Sequence, residues 1–157
     1  MLQRIQSIYL ALAAIISTVF FFIPISTIEV NDNTYAVKAS GIYYQDMGNY
    51  VFDSPLLALS SVLVFHIILS LMTIFLFNNR SRQITLCNLN LVLLVICMIL
   101  VFFYAGDVPE KPIDEAVKTV TYSYGGLIPM MPVVLVLLAR KAIKKDENLV
   151  KSVDRLR

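Results

Sequence analysis

The chain has 157 residues, of which 58% are hydrophobic and 15% are charged, and its formal net charge is +2. An average soluble domain is about 45–50% apolar and about 25% charged, and one small domain cannot bury so much apolar surface. The composition therefore excludes a water-soluble enzyme domain, a disordered tail and a basic nucleic-acid-binding protein, and it indicates a membrane protein.

Four uncharged apolar stretches are candidates to cross a bilayer, which needs about 20 residues of helix. They cover residues 7–25, 55–77, 84–104 and 122–139. Each must be helical because lipid offers no water to pair with exposed backbone groups. We therefore predict a membrane protein of the all-α class: a four-transmembrane-helix bundle that occupies residues 1–157 as a single integral membrane domain.

The segments that connect these stretches differ in charge. Ten Lys and Arg residues lie in the N-terminal stub, the second connection and the tail, residues 140–157. Only three lie in the loops 29–54 and 105–123, which together hold eight acidic residues. The positive-inside rule therefore predicts that both termini are cytoplasmic and that the two loops lie on the outer side.

The first outer loop is expected to form a small β-hairpin or sheet. Its β-rich runs flank Asn31, Asp32 and Asn33, which tolerate the left-handed backbone of a turn, and later glycines precede further aromatic runs. Its tyrosines form either a surface for a ligand or partner, or a cover that anchors the sheet at the headgroups. In the second loop, residues 114–124 fit a strand or an outer extension of the fourth helix equally well.

His66 is the only histidine and lies at the midpoint of the second stretch, where a polar side chain is costly and suggests function. Ser17 and Thr18 of the first stretch lie at the same depth, so a hydrogen bond from either hydroxyl would join the two helices. The four stretches hold no Asp, Glu, Lys or Arg to continue a proton path, and a haem needs a second axial ligand. We favour a structural role, and a proton or cofactor role stays open.

Asn88 and Asn90 lie one to two turns into the third helix, level with Ser70 and Thr73 of the second. Interhelical hydrogen bonds are the natural interpretation. The two asparagines point in nearly opposite directions around the helix, because they are two residues apart. One of them can therefore face the bundle while the other faces a partner or a polar vestibule at the cytoplasmic side.

The tail is predicted to be a cytoplasmic amphipathic helix. Anionic lipid headgroups are the expected partners of the basic residues at its start, Arg140, Lys141, Lys144 and Lys145. A second set of aliphatic residues shares one helical face and predicts docking on a protein or on the membrane interface: Leu149, Val150, Val153 and Leu156. Asp146 falls within this stripe, which favours a protein partner or the chain's own turn at Arg80 or Arg82 over lipid.

The two ends of the chain are the most distinctive segments. The opening Met1–Gln6, the four apolar stretches and the closing Lys144–Arg157 resemble a family of small four-helix membrane proteins of Bacteroidota, catalogued as a domain of unknown function. The resemblance covers the whole chain and implies a multi-pass protein of a bacterial inner membrane, with no activity attached. The arrangement of four spans with a stranded first outer loop is also similar to that of claudin-like proteins, and this similarity concerns architecture alone.

The sequence contains no nucleophile–base pair, metal cluster or phosphate-binding loop, so we predict no catalytic, cofactor-binding or metal-binding residue. The preferred function is a non-enzymatic interaction or scaffold subunit, with a protein partner at the outer loop or the cytoplasmic tail. The alternative is a membrane enzyme or carrier subunit that uses His66 and a polar vestibule near Asn88.

Overall fold

The computed structural model describes residues 3–30, 33–46, 48–76, 79–106 and 118–154. Within these residues the chain forms four α-helices, five β-strands and a short 3-10 helix. The helices are α1 (Gln3–Phe20), α2 (Leu57–Phe75), α3 (Arg80–Tyr104) and α4 (Met130–Asp154). The strands are β1 (Pro24–Val30), β2 (Asn33–Lys38), β3 (Gly41–Asp46), β4 (Asn49–Pro55) and β5 (Lys118–Tyr122), and the 3-10 helix covers Tyr124–Leu127.

Each helix buries one face and exposes the other. The buried residues of α2 are three or four positions apart, as one face of an α-helix requires: Leu59, Leu63, His66, Ser70 and Thr73. Helices α1 and α3 each pack against both α2 and α4, so the four helices close a ring. The outside of the ring carries large apolar side chains such as Phe65 and Phe102, which are 61% and 87% exposed. Such an apolar outer surface suits lipid rather than water.

Three helical segments are long and apolar enough to cross a membrane: Leu57–Phe75, Arg80–Tyr104 and Tyr124–Val150. The apolar part of α1, Ile5–Phe20, is shorter. The predicted stretch 7–25 is helical only as far as Phe20, because Pro24 begins β1. The predicted stretch 122–139 begins as the end of β5, and α4 starts only at Met130. By length and composition the chain is thus a membrane protein.

The prediction of an all-α protein with a small hairpin or sheet is wrong. The strands form one five-stranded antiparallel sheet in the order β4-β3-β2-β1-β5. The first loop supplies four strands, and the second loop supplies β5, which pairs with β1 from Ser26 opposite Tyr122 to Val30 opposite Lys118. This pairing joins segments separated by α2 and α3, and local turn signals carry no information about it. Of the two interpretations of residues 114–124, the strand is present over Lys118–Tyr122.

The sheet packs on the ends of the helices at which α1 stops and α2 starts, here called the sheet end. One cluster of buried side chains joins Ile28 and Val37 of the sheet to Leu59 of α2. The hydroxyl of Ser60 donates a hydrogen bond of 2.9 Å to the carbonyl of Ala39 in the β2–β3 turn. Burying an aliphatic side chain of this size is worth about 1.5–3 kcal/mol, so the sheet and the helices stabilise each other.

The opposite end of the helices, here called the basic end, contains Arg80, Arg82 and the basic residues at positions 140–145. A second buried cluster lies toward this end. Within it, Ala13 of α1 and Ala139 of α4 are fully buried. Small side chains let two helices approach closely, which is the usual basis of helix packing in membranes. The α1–α4 pair is accordingly a tight contact between the first and last helices.

Candidate functional site

A chain of buried polar side chains links α2 to α3 in the interior of the helix ring. His66 Nδ1 lies 2.5 Å from Asn90 Oδ1, and Asn90 Nδ2 donates to Ser70 Oγ over 2.7 Å. All three residues are fully buried. About one turn of α2 nearer the basic end, Gln83 Nε2 donates to the carbonyl of Thr73 over 3.0 Å. A series of buried polar contacts between α2 and α3 thus runs from His66, at the middle of α2, to Gln83, near the start of α3.

The Asn90 contacts assign the proton on the His66 ring. Because Asn90 uses its amide nitrogen to donate to Ser70, its oxygen accepts from His66, so Nδ1 carries the hydrogen. In a neutral imidazole the other nitrogen, Nε2, is then an acceptor. Nε2 is buried and meets no hydrogen-bond partner among the described residues.

Ser17 and Thr18 do not bind His66. The Thr18 hydroxyl donates to the carbonyl of Ala14 in its own helix over 2.9 Å. The Ser17 hydroxyl is buried and, like His66 Nε2, has no partner within the described part of the chain. Both Ser17 and His66 are fully buried, so the two unpaired atoms lie in the interior of the helix ring.

The two asparagines of α3 point in different directions. Asn90 occupies the interior position just described, whereas Asn88 is exposed on the outside of the ring. Asn88 therefore contributes nothing to an interior vestibule, and the polar interior is built around Asn90. The two-residue spacing predicted that Asn88 and Asn90 point to different sides of α3. It did not indicate which of the two faces the interior of the ring.

A second polar contact closes the basic end. Asp146 of α4 is only 7% exposed, and its Oδ2 accepts a hydrogen bond of 2.6 Å from Gln6 Nε2 of α1. Arg80 reaches Asp146 too, but Nη1 donates to the backbone carbonyl over 3.1 Å rather than to the carboxylate. Gln6 was not singled out from the sequence, since a lone glutamine near a helix start carries no pattern.

The basic residues of the tail continue α4 without a break. Lys141, Lys144 and Lys145 are exposed, and Arg140 is half-buried. Farther along, Leu149 and Val150 are 50% and 45% exposed, so they do not dock on the chain itself. The Val153 side chain and Leu156 lie outside the described residues.

A groove on the surface of α4 was not predicted from the sequence. Its volume is about 610 Å³. Three aliphatic and three basic side chains line it: Val134, Leu137, Leu138, Arg140, Lys141 and Lys144. Lys145 is not among the lining residues, although it belongs to the same basic run.

The sheet carries an aromatic cluster around a lysine. Lys38 Nζ lies 4.8 Å from the centre of the Tyr43 ring and 5.6 Å from that of Tyr50. Tyr43 and Phe52 meet edge to face, with ring centres 5.5 Å apart. Both faces of the neighbouring edge strand β4 remain accessible: Tyr50, Val51 and Phe52 are 50%, 39% and 52% exposed.

The described residues contain no group of three or more His, Cys, Asp or Glu side chains that could hold a metal ion. The candidate sites are therefore the buried hydrogen bonds in the helix ring, the exposed sheet edge and the groove on α4. The long apolar helices and the sheet define a helical membrane protein with an antiparallel sheet at one end of its helices.

The chain belongs to a family described as a domain of unknown function (DUF4293), whose model matches residues 2–156. The expected resemblance to an uncharacterised family is thereby confirmed. A comparison with curated proteins found no match.

Proposed function

We propose that the protein is an interaction subunit of a bacterial inner membrane, without catalytic activity of its own, that holds a partner protein on the β4 edge of its outer sheet. The distribution of basic residues supports the orientation. Arg80, Arg82 and the run at 140–145 lie at the end of the helices opposite the sheet. The positive-inside rule places such an end in the cytoplasm and the sheet outside.

The observation that carries this proposal is the edge strand β4. It pairs with β3 along one side, and no described strand pairs with its other side. An unpaired edge presents backbone N–H and C=O groups that can add a strand from another chain. Tyr50 and Phe52 project from one face of β4 and Val51 from the other, so an added strand would meet exposed apolar side chains on both faces.

Photo-crosslinking from β4 tests the proposal. A photoreactive amino acid at Val51 should give one discrete protein adduct in native membranes. The same photoreactive residue at Glu29 is the matched control and should give none, because Glu29 is exposed in β1, a strand that is paired on both sides. A Val51→Lys substitution should abolish co-purification of the crosslinked protein, because a charge on an edge blocks strand addition. Equal adducts at both positions, or none at Val51, would contradict the proposal.

A carrier or enzyme subunit that uses His66 is a second candidate, supported by two buried polar atoms that have no hydrogen-bond partner within the described residues, His66 Nε2 and Ser17 Oγ. A polar group of a bound ligand that reached either atom would satisfy it. Native mass spectrometry and absorption spectra of protein purified in mild detergent test this function. A non-protein ligand that is retained by the wild type and lost in His66→Leu would establish it and would overturn the first proposal.

A further inference from the structure

The groove on α4 has an amphiphilic lining. Its aliphatic residues, Val134, Leu137 and Leu138, come first along the helix, and its basic residues follow toward the basic end. The residues from 134 to 144 cover about 15 Å of helix at 1.5 Å per residue. Along the axis of α4, which would cross a bilayer, the apolar part of the groove is thus followed by its positively charged part.

The groove faces away from the helix ring. Val134, Leu137, Leu138 and Lys141 follow the i, i+3, i+4, i+7 spacing of one helical face. A different face of α4, which includes Val136 and Ile143, is fully buried against the other helices. The groove is therefore open on the surface that contacts lipid when α4 crosses a membrane.

Within the described part of the chain, the basic end of the groove is lined by positive charges alone. Arg140, Lys141 and Lys144 line it, and no acidic side chain of the described residues does. Arg140 Nε is buried and meets no hydrogen-bond acceptor within the described residues. A buried donor without a partner is costly, and a phosphate oxygen is an acceptor well suited to a guanidinium group.

We propose that this groove binds one anionic phospholipid, with the phosphate at Arg140, Lys141 and Lys144 and an acyl chain along Val134, Leu137 and Leu138. General attraction of a basic flank to an anionic membrane needs only charge near the surface. A lipid site needs the aliphatic and the basic halves together, and the groove supplies both.

Lys144 and Lys145 provide a matched pair of test positions. Both are exposed, both carry one positive charge and they are adjacent, but only Lys144 lines the groove. Lys144→Ala and Lys145→Ala therefore change the net charge equally. Native mass spectrometry of the full chain in mild detergent, titrated with phosphatidylglycerol, measures the affinity of each variant. Phosphatidylcholine with the same acyl chains, and free glycerol phosphate, are the comparison ligands.

We expect the wild type to bind one phosphatidylglycerol and to prefer it to phosphatidylcholine. Lys144→Ala, and likewise Lys141→Ala, should weaken binding about fivefold, whereas Lys145→Ala should leave it unchanged. Equal weakening in Lys144→Ala and Lys145→Ala would show diffuse attraction and would overturn the site. Equal affinity for phosphatidylcholine, or full competition by glycerol phosphate, would overturn it as well. Unchanged far-ultraviolet circular dichroism serves as the folding control.

Discussion

Gln6 and Asp146 are 140 positions apart in the chain and form a buried side-chain hydrogen bond that joins the first helix to the last. The contact places a carboxylate inside the basic end instead of on its surface. Arg80 of α3 donates to the backbone carbonyl of the same aspartate, so three helices meet at Asp146. This one residue therefore ties α1, α3 and α4 together.

Removing the amide of Gln6 should destabilise the helix ring. Gln6→Leu leaves the buried Asp146 carboxylate without its donor, which costs about 1–3 kcal/mol. In the double variant Gln6→Leu, Asp146→Leu both polar partners are replaced, and most of that loss should be recovered. Unfolding in mixed detergent, followed by circular dichroism, measures both. An unchanged midpoint for Gln6→Leu would show that the hydrogen bond contributes nothing.

The two asparagines of α3 should respond differently to the same substitution. Asn90→Ala removes one hydrogen bond to His66 and one to Ser70, and such bonds contribute about 0.6–2 kcal/mol each between membrane helices. Asn88→Ala alters only an exposed side chain and should have no measurable effect. The same detergent titration gives both values. Equal losses at the two positions would contradict the inward orientation of Asn90.

Gly125 and Gly126 make a second matched pair, at the joint between β5 and α4. A Cβ atom on Gly125 would lie 2.0 Å from the carbonyl oxygen of Pro24, whereas one on Gly126 would be 3.8 Å from its nearest neighbour, Ile25. Gly125→Ala should therefore force the 3-10 helix away from β1 and cost roughly 1–3 kcal/mol. Gly126→Ala should be tolerated. Hydrogen exchange in β1 and β5 reports the difference, and equal protection in the two variants would refute it.

A substitution at the exposed Leu149 tests whether the end of the tail is docked at all, either on a protein or on the membrane interface. A carboxylate placed in an apolar contact is costly, so Leu149→Asp should release the end of α4. Asn148→Asp adds the same charge at a neighbouring exposed position and should not. Hydrogen exchange over residues 147–154, in native membranes, distinguishes them. Lack of protection in the wild type would show that the tail does not dock.

Local patterns predicted the helices better than the sheet. The uncharged stretches 55–77 and 84–104 correspond closely to α2 and α3, because apolar length by itself identifies a span. The sheet was underestimated because its fifth strand pairs across α2 and α3. Turn residues such as Asn31 indicate a hairpin, and they contain no information about which distant segment covers its other edge.

The sequence predicted which buried side chains lie at the same depth in the membrane, but not which of them face each other. Asn90 does bind Ser70, and the position of each residue along its helix predicted that the two lie at the same depth. His66 was expected to meet Ser17 or Thr18, yet it binds Asn90, because the rotation of each helix decides which neighbour a side chain faces. Gln6 and Asp146 are likewise brought together by the packing of α1 on α4, which no local periodicity encodes.

Cysteine accessibility tests most directly whether the sheet lies outside the cytoplasm and the basic end inside. Glu29 in β1 and Ser152 in α4 are both exposed, and Glu29 lies away from the β4 edge that the partner would cover, so a cysteine at either position can react. The native Cys87 and Cys97 are buried, and the unsubstituted protein gives their background. In intact spheroplasts, a membrane-impermeant maleimide should label Glu29→Cys at once, and Ser152→Cys only after the membrane is opened. Labelling of Ser152→Cys in intact spheroplasts, or protection of Glu29→Cys, would contradict the orientation on which the proposed function rests.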